Sequence, residues 1–125
     1  IFFLTGSIFI ILRLKKGGGI EINDKGLIID INNPTDSFVA WKEIKKFSLQ
    51  ENNGTKIINI HLHNPQKFID NQQIKKKRKE MERNLILFDA PIGISVNLLD
   101  ITYKKLEALL MDNFNQVNNL NIQTK

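Results

Sequence analysis

Hydrophobic and polar residues alternate along much of the chain, with the period of two that half-buried β-strands show. The clearest example is the segment 55–62, where Ile58, Ile60 and Leu62 share one face. Strands are predicted at 20–22, 27–31, 38–41, 45–50, 56–62, 85–88 and 92–98. Short connections join most of these segments, so the pattern predicts a curved antiparallel sheet.

Two further segments carry the period of an α-helix. Residues 103–118 place Leu106, Leu110 and other apolar side chains on one face, and this amphipathic helix is predicted to close the sheet. A second helical stretch is predicted over 65–84, in one or two pieces. It begins with Asn64 as the N-cap and a proline at the first helical position. The predicted fold class is therefore α+β, mainly β.

The strands at 20–22 and 27–31 are joined by Asn23-Asp24-Lys25-Gly26, which are turn-forming residues ending in a glycine, and this sequence predicts a β-hairpin. The third strand ends in Trp41, the only tryptophan. Because large aromatic side chains dominate core burial, we expect Trp41 to anchor the core beneath a short turn. The alternative is an aromatic side chain that stacks on a ligand.

This order of elements resembles the bacterial pleckstrin-homology-like (PH-like) domains, especially those of small membrane proteins that have hydrophobic N-terminal helices. The resemblance is carried by Ile22-Asn23-Asp24-Lys25-Gly26-Leu27, Trp41-Lys42-Glu43-Ile44 and Pro91-Ile92-Gly93-Ile94. It implies a PH-like domain over 20–118, with a strongly bent antiparallel sheet, or partly open barrel, closed by the C-terminal helix. Residues 65–84 are then a helical insertion, and 119–125 a frayed tail. The resemblance implies no enzymatic activity.

The first twelve residues are almost wholly apolar, and Arg13, Lys15 and Lys16 follow them. As a helix this run spans about 18 Å, which is shorter than the roughly 30 Å hydrocarbon core of a bilayer. We interpret residues 1–16 as the truncated end of a transmembrane helix with its basic flank. The alternative is a buried first strand or helix of a soluble domain.

On the transmembrane interpretation, the basic flank places everything after Lys16 on the cytoplasmic side of the plasma or inner membrane. Gly17-Gly18-Gly19 is then a flexible joint between the anchor and the domain. The predicted location is the cytoplasmic membrane, with the domain facing the cytoplasm.

The sequence offers little that is typical of an enzyme. There is no cysteine, so neither a disulfide framework nor a thiolate zinc site is possible. His61 and His63 share one strand face without a visible third ligand, and we interpret them as solvated surface histidines. Serine or cysteine nucleophile motifs, glycine-rich phosphate loops and paired-carboxylate motifs are missing. We therefore predict a non-enzymatic protein without a cofactor, a metal or an evident small-molecule substrate.

The formal net charge of +5 and a pI near 9.5 favour anionic partners. Residues 74–83 are the most basic run of the chain. The candidate lipid- or anion-binding residues are Arg13, Lys15, Lys16, Lys75, Lys76, Lys77, Arg78 and Lys79.

Three interpretations of the basic run stay open. Its lysines could serve only to keep a surface helix soluble, or they could contact anionic lipid head groups or nucleic acid. The absence of aromatic residues from 74–83 makes nucleic-acid binding the less favoured of the last two. The leading hypothesis is a membrane-anchored interaction module that contacts anionic lipid or a protein partner. The alternative is a soluble, basic nucleic-acid-binding domain.

Overall fold

A computed structural model describes residues 9–15 and 17–123, and it shows an α+β fold. The strands are β1 (Phe9–Arg13), β2 (Gly19–Asn23), β3 (Gly26–Ile28), β4 (Phe38–Ala40), β5 (Ile44–Asn52), β6 (Thr55–Leu62) and β7 (Ile92–Ser95). The α-helices are α1 (Pro65–Asp70), α2 (Lys75–Phe88) and α3 (Tyr103–Gln123), and short 3₁₀ helices lie at Trp41–Glu43 and Val96–Leu98. The described residues divide into two compact units. The first runs up to Lys42 and resumes at Leu98, and the second is Glu43–Asn97.

The first unit contains a four-stranded antiparallel sheet in the order β1-β2-β3-β4. Its buried apolar side chains come from successive strands and include Ile20, Ile22, Leu27 and Val39. Ile20 and Ile22 alternate with less buried residues, as the sequence pattern predicted.

Strand β1 replaces part of the predicted transmembrane helix. Phe9 pairs with Asn23, and the register continues to Arg13 opposite Gly19. A short apolar run fits a strand as well as a helix by periodicity alone, and here β2 supplies the hydrogen-bonding partner. The helix prediction is wrong for 9–12, while residues 1–8 lie outside the described part of the chain. No helix among the described residues is long and apolar enough to cross a membrane.

The three glycines after β1 take part in the β1–β2 hairpin. The Gly17 N–H donates to the carbonyl of Leu14, and the Leu14 N–H donates to the carbonyl of Gly18. Gly17 and Gly18 have φ of +104° and +79°, values that residues with a Cβ atom rarely adopt. The glycine run thus provides the positive φ that this turn requires, and Gly19 already belongs to β2.

The turn between β2 and β3 is built around Asn23. Its side-chain oxygen accepts the backbone N–H groups of Lys25 and Gly26 at 2.8 and 3.1 Å. Trp41 is 2% exposed, and its indole Nε1–H donates to the carbonyl of Asn23 at 2.9 Å. The predictions of a hairpin here and of Trp41 as a core anchor beneath a turn are confirmed.

Helix α3 completes the first unit. The segment that leads into it is held beside β1 by an isolated bridge between Leu14 and Leu99. The Thr102 hydroxyl accepts the Lys105 N–H and caps the helix. Leu106 and Leu110 are buried, which confirms the predicted apolar face.

The second unit contains a three-stranded antiparallel sheet in the order β5-β6-β7. Ile60 pairs with Ile92 and Ile58 with Ile94, and all four side chains are buried. Strands β5 and β6 begin and end within one to two residues of their predicted bounds, whereas β7 stops at Ser95 and gives way to a 3₁₀ helix. In the first unit, the strand predicted at 27–31 ends early as well, at Ile28.

The connection from β6 to β7 contains the two helices α1 and α2, as predicted for 65–84. Asn64 caps α1 by accepting the Lys67 N–H, as predicted from the Asn-Pro sequence. The predicted strand at 85–88 is wrong, because α2 continues through these residues to Phe88. A run of four apolar residues does not distinguish strand from helix, and here it extends a helix whose earlier residues are good helix formers.

The predicted single bent sheet is also wrong in one respect. The strands form two sheets, and the 3₁₀ helix Trp41–Glu43 separates β4 from β5 along the chain. Within the described residues neither sheet closes into a barrel.

Candidate functional site

The predicted basic residues fall into two groups that belong to different units. Arg13 and Lys15 lie in and just after β1 and are exposed, whereas Lys16 is outside the described residues. The five residues of the second group, Lys75, Lys76, Lys77, Arg78 and Lys79, all lie in the first half of α2. Helix α2 has no buried residue, although it lies against α1 and β7.

Exposed basic residues line the outer side of α2. Lys75, Lys79 and Arg83 follow each other at intervals of four residues and therefore share one face of the helix. Lys76 is exposed as well. None of these four residues forms a salt bridge within 9–15 and 17–123. Glu82 is exposed three residues after Lys79 on the same side of the helix, so the four cations and this one carboxylate leave a net charge of about +3 there. We call this set, Lys75, Lys76, Lys79 and Arg83, the basic face.

Arg78 has a different role from the one expected. Its guanidinium Nη1 donates to the backbone carbonyl of Gln72 at 2.6 Å and to that of Gln73 at 3.4 Å. Those carbonyls belong to the connection between α1 and α2. Arg78 therefore fastens the start of α2, and it is half-buried like Lys77. The sequence marked both residues as binding candidates because composition alone does not reveal which side of a helix is covered.

The start of α2 is electrostatically unfavourable. Its N-cap is Ile74, which makes no side-chain capping bond, and its first turn holds three lysines and no acidic residue. The amino-terminal end of a helix carries partial positive charge, so each nearby cation costs about 0.3–1 kcal/mol. An anion in front of this turn would relieve that repulsion.

The last turn of α2 exposes apolar side chains. Ile86 is 83% exposed, Leu87 62% and Phe88 38%. We call these three residues the apolar tip. The sequence did not reveal this tip, because 85–88 was predicted to be a strand. The signal that could have found it is the absence of glycine and proline from residues 75–88, so that no strong helix breaker separates the basic run from the apolar run.

The far end of α2 is fixed by Asp89 and His61. Asp89 has a left-handed backbone with φ of 60°, and its N–H donates to the Leu85 carbonyl. His61 Nδ1 donates to the Asp89 carbonyl at 2.9 Å, since a carbonyl oxygen can only accept. In the neutral ring, Nε2 then accepts the Ser48 hydroxyl at 2.6 Å. The prediction of a solvated His61 is wrong, because its residue surface is only 6% exposed.

Serine, histidine and aspartate in this order invite comparison with a hydrolytic triad. In such a triad a carboxylate accepts the Nδ1 hydrogen and stabilises the imidazolium. Here a backbone carbonyl takes that position, and the Asp89 carboxylate oxygen is 3.9 Å from Nδ1. The contacts account for how His61 holds the end of α2, and we assign them no catalytic step.

Lys15 borders a cleft of about 510 Å³ in the first unit. The other lining residues are Leu99, Asp100, Ile101, Thr102 and Lys105. Two lysines and one carboxylate give the cleft a small positive charge. We assign no ligand to this cleft.

A metal site does not emerge from the geometry either. Over residues 9–15 and 17–123, no group of three or more histidine, aspartate or glutamate side chains is placed to hold a metal ion. His63 lies just after β6 and is exposed, whereas His61 lies within β6 and is buried, so the structure does not place the two histidines on one strand face as predicted.

Comparison with known proteins adds no identification. No protein-family model, no curated protein and no solved structure matches this chain. The basic face and the apolar tip are therefore interpreted from their own geometry.

Proposed function

We propose that this protein is a non-enzymatic, PH-like interaction module that contacts anionic membrane lipid through the basic face of α2. The PH-like assignment is supported by the element order. Antiparallel strands follow one another in chain order through two sheets, and α3 comes last. This order agrees with the antiparallel strands and the C-terminal helix that the resemblance implies, although the strands form two sheets instead of one.

The observation that carries the lipid proposal is the charge arrangement of α2. Four exposed cations that form no salt bridge within the described residues line one helix, and three lysines crowd its positively polarised end. Near an anionic leaflet each basic residue contributes about 1 kcal/mol of attraction. The anionic leaflet also lowers the repulsion between the three lysines of the first turn and the positively polarised helix end. Lipid binding therefore stabilises α2.

The proposal places membrane contact on α2 rather than on a spanning helix. The transmembrane interpretation needed a helix that ends at Leu12, where the structure has a strand. We propose the cytoplasmic leaflet as the contacted surface, because anionic lipids give that leaflet its negative potential. A cytoplasmic location thus follows from the lipid chemistry in this proposal.

Nucleic acid is the competing anionic partner, and the described surface favours it less. Binding of single strands usually combines positive charge with aromatic side chains on which bases stack. No aromatic residue lies between Ile74 and Arg83. Phe88, which belongs to the apolar tip, is the nearest aromatic residue on α2.

We therefore predict that the purified chain binds vesicles containing phosphatidylglycerol and not vesicles of phosphatidylcholine alone. Binding weakens as ionic strength rises from about 0.01 to 0.15 M, because the Debye length falls from about 30 to 8 Å. Co-sedimentation at both salt concentrations measures this, with single- and double-stranded oligonucleotides titrated under the same conditions. Tighter binding to an oligonucleotide than to the anionic vesicle at matched salt would replace lipid by nucleic acid.

A further inference from the structure

The apolar tip is unusual for a surface helix. Ile86 and Leu87 are largely exposed and adjacent, and Phe88 extends the same turn. Exposed apolar residues that stand singly are ordinary, whereas neighbouring ones mark contact sites for proteins or membranes. The basic face alone leaves this feature unexplained.

We propose that the apolar tip inserts into the boundary between the head groups and acyl chains of an anionic bilayer while the basic face binds the head groups. This inference rests on the proposed function and adds a second, apolar component to it. Interfacial helices bury their apolar residues about 5–10 Å into this boundary while their lysines and arginines stay with the phosphates.

The order of residues along α2 suits such an arrangement. Ile86 follows Arg83 by three residues and Lys79 by seven, so all three share the outer side of the helix. With a rise of 1.5 Å per residue, the tip extends about 5 Å beyond Arg83 along the helix axis. A helix inclined to the surface can thus keep its cations at the phosphates while its last turn goes deeper.

Charge complementarity selects the bilayer over a second copy of the chain. Pairing two apolar tips would bring together the Arg83 side chains of both copies, which lie one turn before Ile86, and would leave the rest of the basic face without an anionic partner. An anionic bilayer attracts the basic face and offers an apolar phase within the same few ångströms. It therefore fits both parts of the helix surface.

The structure also holds the tip in position. Arg78 fastens the start of α2 to the carbonyls of Gln72 and Gln73. At the other end His61 binds the Asp89 carbonyl directly after Phe88. These two contacts define where the tip lies in the free chain.

The absence of cysteine allows a direct test of insertion. Single variants Ile86→Cys and Leu87→Cys are labelled with an environment-sensitive fluorophore, and Glu80→Cys is the matched control. Glu80 is exposed and lies on the same side of α2 as Leu87, two turns earlier. With phosphatidylglycerol vesicles we expect a blue-shifted emission and protection from an aqueous quencher at 86 and 87, and an unchanged spectrum at 80.

A double variant measures the contribution of the tip to affinity. The double change Ile86→Ser and Leu87→Ser is expected to weaken vesicle binding by about tenfold or more, and to weaken it equally at high salt. Vesicle binding with labels at 86 and 87 still in water would overturn insertion and leave the lipid module standing. Absence of vesicle binding by the unmodified chain would overturn both proposals. A blue shift that grows with protein concentration in the absence of lipid would assign the tip to self-association.

Discussion

A variant in which the basic face is replaced by glutamine binds phosphatidylglycerol vesicles about 100-fold more weakly than the wild type at low ionic strength. The four changes are Lys75→Gln, Lys76→Gln, Lys79→Gln and Arg83→Gln. Four contacts of about 1 kcal/mol each set an upper limit, and incomplete contact with the surface reduces it to the expected value. Co-sedimentation at about 0.01 M and 0.15 M ionic strength measures the loss, which is smaller at the higher salt.

The matched control removes the same number of positive charges elsewhere. Lys42, Lys45, Lys67 and Lys104 are all exposed and lie outside α2, and they are changed to glutamine together. This control keeps most of the vesicle affinity if the basic face is the contact. Equal losses of vesicle affinity in both variants would mean that binding depends only on net charge. An unchanged affinity in the basic-face variant would show that α2 is not part of the binding surface.

The second large effect is expected at Trp41. Trp41→Ala lowers the free energy of unfolding by about 3–5 kcal/mol, as removal of a buried aromatic side chain typically does. The side chain is 2% exposed and its indole N–H closes the β2–β3 turn through the Asn23 carbonyl. Urea denaturation followed by circular dichroism measures the change, since the variant has no tryptophan to report by fluorescence.

Trp41→Phe separates the packing contribution from the hydrogen bond. The phenyl ring keeps most of the apolar volume, so this variant loses only about 1–3 kcal/mol, largely from the unpaired carbonyl of Asn23. A cost below about 1 kcal/mol for Trp41→Ala would show that the side chain is not part of the core. The alternative of a ligand-stacking tryptophan would then return.

The sequence predicted several elements well, although two alternating segments, 27–31 and 92–98, form strands over only part of their length. Strict alternation defined β2, β5 and β6, and the Asn64-Pro65 cap defined the start of α1. A short apolar run is compatible with either a strand or a helix. Phe9–Arg13 is a strand because β2 pairs with it, whereas the similar run at 85–88 is helical because α2 extends into it. Neither outcome follows from the run itself, since the partner or the preceding helix decides it.

The sequence located the positively charged segment of the candidate site, but it did not show which of its side chains are exposed. The lysine-rich run correctly located the positive charge, but Lys77 and Arg78 are half-buried while Arg83 joins the exposed set. That division depends on how α2 lies against α1 and β7, which periodicity alone does not give. The apolar tip was missed for the same reason, because a residue's exposure is a tertiary property.

Hydrogen–deuterium exchange of the whole chain, with and without anionic vesicles, tests the central proposal most directly. Helix α2 has no buried residue and lacks a side-chain cap at its start, so its amides are expected to exchange through local opening in the free chain. Phosphatidylglycerol vesicles should slow exchange across 75–88, and phosphatidylcholine vesicles should leave it unchanged. Protection that falls on other segments while 75–88 exchanges as in the free chain would contradict the assignment of α2 as the membrane-contacting surface.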